Sequence, residues 1–114
     1  MQGDRYSVVI VSFNHAATLP ACLRAVALLQ PAPERVVVVD NASSDGSASV
    51  VAAHAGDLPL AIVRHHANLG FAVAANAGLA ATATPWVLAL NPDCAPDPLY
   101  PALLLAAVHA RPER

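Results

Sequence analysis

The chain is predicted to be an α/β domain: an open, doubly wound, mainly parallel sheet with helices on both faces. Three observations predict it. The runs Val8-Val9-Ile10-Val11, Val36-Val37-Val38-Val39, Leu60-Ala61-Ile62-Val63 and Trp86-Val87-Leu88-Ala89-Leu90 are apolar without alternation, the pattern of strands buried on both faces of a parallel sheet. Segments of helical spacing stand between them, which makes the connections right-handed crossovers. Each run then turns abruptly polar at its carboxyl end, and open α/β sheets bind ligands outside the carboxyl ends of their strands.

The second run organises the rest. Its four valines end in Asp40, followed by Asn41-Ala42-Ser43-Ser44-Asp45-Gly46. Ser44, Asp45 and Gly46 supply cap chemistry for a helix from about Gly46 to His54. Before it, Tyr6 to Ser12 forms the first strand and leaves through Ser12-Phe13-Asn14-His15. Thr18 suits an N-cap, Pro20 is tolerated in the first turn, and Leu19, Cys22, Leu23 and Val26 make one apolar stripe. Gln30-Pro31-Ala32-Pro33 stops that helix.

After the turn Gly56-Asp57-Leu58-Pro59, the third strand, Leu60 to Arg64, exits into His65-His66-Ala67-Asn68-Leu69-Gly70. Phe71, Ala74, Ala75, Gly78 and Ala81 share a helix face small enough to approach a sheet closely. The fourth strand, Trp86 to Leu90, exits into Asn91-Pro92-Asp93-Cys94. Asp97-Pro98 starts a last helix that runs to Arg111-Pro112.

Composition narrows the function. With 114 residues, 56% hydrophobic and 12% charged, the chain is one folded domain, not a disordered one. Lysine is absent and the formal charge is −2, which excludes a nucleic-acid binder that relies on phosphate contacts. Two cysteines, Cys22 and Cys94, make neither a disulfide framework nor a zinc set and fit buried thiols in a reducing compartment. No apolar run reaches the ~20 residues of a membrane span, and the amino end lacks a signal-peptide pattern. A cytoplasmic protein is expected.

The carboxyl rim carries Ser12, Asn14, Asp40, Asn41, His65, His66, Asn91 and Asp93. Polar loops and Asx turns account for such residues one at a time. His65 and His66 are adjacent and face opposite ways on an extended segment, so they cannot share a metal. Asn68 and Gly70 fit a turn. Cys94 lacks the basic neighbour of an activated thiolate. No glycine-rich phosphate loop follows the first strand, against a dinucleotide or ATP. Asp40 and Asp93 stand out because each follows a fully apolar strand. One carboxylate there can accept a base N–H and another can hold a hard cation, the chemistry of a metal-bound diphosphate. That reading requires both to meet in one solvent-open pocket.

The segments Ser7-Val8-Val9-Ile10-Val11-Ser12-Phe13-Asn14, Val38 through Ser47, Asn68-Leu69-Gly70-Phe71 with Asn76 and Gly78, and Leu90-Asn91-Pro92-Asp93 resemble, in order and spacing, the motifs of family 2 glycosyltransferases, closest to the rhamnosyltransferase-like branch. The resemblance covers Tyr6 to about Ala110 and implies the amino-terminal, nucleotide-sugar-binding half of a GT-A fold. It implies nucleotide contacts from Ser12, Asn14, Asp40, Asn41, Asp45 and Asn91, and Mg²⁺ or Mn²⁺ held by Asp93, the last acid of the D-x-D element. The implied donor is a UDP- or dTDP-linked sugar, transferred to an acceptor hydroxyl.

The chain departs from the family pattern in three ways. Asn91 replaces the first acid, Ala75 stands where many relatives have arginine, and only one helix follows the D-x-D element, so no catalytic residue is assigned. The alternative is a non-catalytic nucleotide-binding remnant or subunit that pairs with itself as a homodimer or needs a second chain. A flavodoxin-like signalling domain with an acidic metal pocket is a third reading, in which the asparagine-glycine motif before the third helix has no purpose.

Overall fold

A computed structural model describes residues 2–110. After a short 3-10 turn at Gln2–Asp4, the elements are β1 (Tyr6–Ser12), α1 (Leu19–Ala27), β2 (Arg35–Asp40), α2 (Ser47–Ala53), β3 (Leu60–Arg64), α3 (Phe71–Ala80), β4 (Trp86–Leu90) and α4 (Tyr100–Ala110). The expected stop of the last helix at Arg111-Pro112 lies outside the described residues. The four strands form one parallel sheet in the order β3-β2-β1-β4. The predicted doubly wound architecture is therefore the one observed.

Sheet position explains the burial of each strand. β1 and β2 are central, and Val36 to Val39 are wholly buried on both faces. Each such side chain removed from water contributes on the order of 1.5–3 kcal/mol. β3 and β4 are the edges and are only half-buried, although their sequences read as the same kind of solid apolar run. Alternation divides the core in two. Val8, Ile10, Val36 and Val38 pack with Leu19, Cys22, Leu23 and Val26 of α1 and Val51 of α2, while Val9, Val37 and Val39 pack with Ala74 of α3.

α4 is less embedded: Pro101 is buried, but Leu103, Leu104 and Val108 are exposed, as is Leu99 just before it. An apolar groove of about 160 Å³ separates its Leu104, Leu105 and Val108 from Tyr6 and Leu88.

The closest approach of helix to sheet is at Gly78. A Cβ there would sit 2.5 Å from Val9 Cγ1 and 3.2 Å from Val39 Cγ2. Both valines are buried and β-branched with restricted χ1, so neither methyl moves aside freely. Gly78→Ala is expected to lose about 1 kcal/mol net, because overpacking of about 1–3 kcal/mol exceeds the helix-propensity gain. A lowered urea midpoint with unchanged slope checks this; a raised midpoint contradicts it.

Candidate functional site

Ser12 and Asp40 are paired in register at the carboxyl ends of β1 and β2. Alternation turns both toward the face covered by α1 and α2. Ser12 is fully buried and Asp40 only 2% exposed. Among the described residues, Ser12 Oγ and Asp40 Oδ1 are the buried side-chain atoms without a hydrogen-bond partner. The expected solvent-open pairing of Asp40 with Asp93 is thus not what forms: Asp93 is exposed and Asp40 is sealed.

The chain beyond Asp40 causes the sealing. Asn41 N–H extends the ladder to Ser12 O at 2.8 Å. Ala42 then takes a left-handed conformation, φ 68°, which is costly for a residue with a Cβ. The chain doubles back so that Ser43 N–H donates to Asp40 Oδ2 at 3.3 Å.

Asn14 and Asp45 lock this turn to the exit of β1. Asn14, itself left-handed at φ 59°, donates its N–H to Ser43 Oγ and accepts Ser44 N–H on Oδ1, both at 2.8 Å. Asp45 Oδ2 accepts Ala16 N–H at 3.0 Å. Asp45 Oδ1 accepts Ser47 N–H at 3.0 Å and also the Ser47 hydroxyl. Ser47 Oγ in turn accepts His15 N–H at 3.1 Å. The expected cap at the start of α2 is thus a bridge between two loops. The Ser47 hydroxyl, and then the Ala16 amide, hold the exposed Asp45 carboxyl below its ordinary value of 3.8.

A hollow of about 360 Å³ opens beside this clasp. β1 and its exit contribute Val11, Phe13 and His15, the exit of β2 contributes Asn41, the loop before α3 contributes Asn68, α3 contributes its first residue, Phe71, and the exit of β4 contributes Asn91, Pro92 and Asp93. Of the expected site residues, Asn41, Asn91 and Asp93 come together here. Ser12, Asn14, Asp40 and Asp45 lie outside the lining.

Phe13, His15 and Phe71 are lining residues that sequence reasoning did not select. Phe71, at 66% exposed, is the clearest signal for them: a large apolar side chain left outside the core beside polar exits. His15 Nδ1 accepts Phe13 N–H at 3.1 Å, so the neutral ring carries its proton on Nε2 and can donate there.

The turn that carries Asn91 and Asp93 is tied to α1. Asn91 O accepts Cys94 N–H at 3.0 Å and lies 3.8 Å from Cys22 Sγ. Burial, with Cys94 and Asp93 nearby, pushes the Cys22 thiol up to about 11, unsuited to a nucleophile. Among the described residues no three His, Cys, Asp or Glu side chains gather as a metal site. Asp93 is the one carboxylate lining the hollow. It is exposed and hard, fit to give one oxygen to a divalent cation whose other ligands come from a diphosphate.

Residues 7–113 match the model of the family described as Glycosyl transferase family 2. The chain belongs to glycosyl transferase family 2. An uncharacterised family relative named a glycosyltransferase, from Mycobacterium bovis, is 37% identical over 97 residues, covering 85% of this chain and 40% of the relative. A mannosyltransferase from Pyrobaculum calidifontis, solved with GDP-Man and Mn²⁺, is 30% identical with a TM-score of 0.73, covering 78% of this chain and 27% of that one. TarS of S. aureus in complex with UDP-GlcNAc shares the fold, with a TM-score of 0.78 at 24% identity, over 91% of this chain and 30% of that one. This family member thus spans about 40% of the length of the M. bovis relative.

The depressed Asp45 pKa gives this clasp a pH dependence. Asp45 adds stability that is fully present above the unfolded-state value of 3.8 and is lost as pH falls through the lower folded-state value. The stability gap between wild type and Asp45→Asn, read by urea unfolding, is expected to be wide at about pH 6 and narrower at about pH 3. A gap that does not change with pH contradicts the bridge.

Proposed function

We propose that the chain is the donor-binding part of a glycosyltransferase that moves a sugar from a UDP- or dTDP-linked donor to an acceptor hydroxyl in the cytoplasm. What carries the reading is the meeting of Asn91 and Asp93 in one hollow at the carboxyl ends of β1, β2 and β4, in a chain of this family. Asp93 would hold Mg²⁺ or Mn²⁺, and the Mn²⁺ in the related mannosyltransferase supports a divalent ion here. When bound, that ion supplies positive charge to a leaving diphosphate.

The chain's own residues do the rest. Asn91 offers its neutral amide to the diphosphate or ribose, and His15 offers an Nε2–H donor beside it. Asp40 and Ser12, buried behind the 41–44 turn and outside the lining of the hollow, take no part in holding the nucleotide. Asn14 and Asp45 serve the nucleotide by fixing that turn, since their side-chain oxygens already accept backbone amides. No catalytic base is assigned: Asp97 Oδ1 accepts Leu99 N–H at 2.9 Å and acts as a turn former.

A second reading, a subunit that pairs with itself, is favoured by the free edge of β4, which carries no charged residue, and by the exposed leucines of α4. Light scattering on the purified chain separates the two: a tight dimer supports pairing, and a monomer at high concentration removes it. No helix among the described residues is long and apolar enough to cross a membrane.

Calorimetry tests the leading reading. UDP or dTDP at millimolar concentration is expected to give heat only with Mg²⁺ or Mn²⁺ present, and Asp93→Asn to weaken that binding roughly tenfold or more. No metal-dependent heat with either nucleotide would overturn the assignment.

A further inference from the structure

Asn41 has every hydrogen-bonding position of its side chain filled by protein. Nδ2 donates to Asn68 Oδ1 at 3.0 Å and to Gly70 O at 3.2 Å. Oδ1 accepts Leu69 N–H at 3.2 Å and stands 3.1 Å from His65 Nδ1. Two donors and two acceptor sites are all an amide has. The residue is 3% exposed, so swapping one of these partners for a ligand leaves a buried group unpaired.

Chemistry orients this amide without ambiguity. Leu69 N–H can only donate and Gly70 O can only accept, so oxygen and nitrogen are assigned. Because Asn41 Oδ1 is an acceptor, His65 must carry a proton on Nδ1.

Three of the four partners lie at Asn68, Leu69 and Gly70, the segment that delivers Phe71. That segment has little else to hold it. Asn68 Oδ1 accepts Gly70 N–H at 2.9 Å, and Gly70 sits at φ 85°, ψ 167°, a conformation essentially restricted to glycine. Gly70 O also begins α3 by accepting Ala74 N–H at 3.2 Å, so Asn41 grips the first carbonyl of the helix.

We propose that Asn41 is a positioning residue: with His65 it holds Asn68 to Phe71 where they line the same hollow as Asn91 and Asp93, and it does not itself bind nucleotide. Calling that hollow the donor site rests on the function proposed above; the grip on the loop does not.

The test has one arm that needs no variant and no ligand. Ring ¹⁵N signals of the full chain at neutral pH are expected to show His65 Nδ1 protonated; an unprotonated Nδ1 overturns the proposal. In Asn41→Ala, amide exchange without nucleotide is expected to speed up about tenfold or more at Leu69 and Gly70, with the core strands unchanged. Unchanged exchange at those amides, or equal acceleration in Val36 to Val39, overturns it. Asn41→Asp keeps both acceptor sites but faces Asn68 Oδ1 and Gly70 O with a carboxylate. It is expected to free Gly70 and Phe71 while Leu69 stays protected. Wild type failing to bind UDP with Mn²⁺ would sink the donor reading and leave these exchange results standing.

Discussion

The fold depends on burying β2 from both sides. Val36 to Val39 pack against α1 and α2 on one face and α3 on the other, with β1 and β3 completing the ladder. A strand so enclosed leaves no room for polar side chains along its length. The polar residues among Asp40 to Asp45 therefore gather at and beyond its carboxyl end, where β1 and β4 also terminate. The hollow at that rim follows from the packing of the middle of the sheet.

Two layers of polar residues arise there. The outer layer, Asn91 and Asp93, is exposed and free to meet a ligand. The inner layer is engaged in building the loops: Asn14, Asp45 and Ser47 join the exits of β1 and β2, and Asn41 joins the exit of β2 to α3. Beneath them, Ser12 Oγ and Asp40 Oδ1 remain without partners. Buried polar atoms are normally satisfied, so this pair is an exception within the interior.

Much of this was legible in the sequence. Solid apolar runs identified the strands, and their polar exits identified the rim. What escaped was set by contacts across distance. Asn41 and its partners are separated by 24 to 29 residues, and Asn14 is separated from Ser43 and Ser44 by 29 and 30. No local pattern announces such pairs. The sealing of Asp40 turns on one left-handed alanine, Ala42, whose conformation its residue type disfavours. The half-burial of β3 and β4 depends on strand order, which identical-looking apolar runs do not encode.

In the function proposed above, the diphosphate end of a nucleotide sits at Asn91 and Asp93. Paramagnetic Mn²⁺ added with UDP to the ¹⁵N-labelled chain tests it most directly. Amide signals around Asn91 to Cys94, then Asn68 to Phe71, should broaden first, while those of Ala32 to Arg35 at the opposite end of the sheet stay sharp. Broadening that begins at that opposite end, or that spreads evenly over the chain, would place the diphosphate elsewhere.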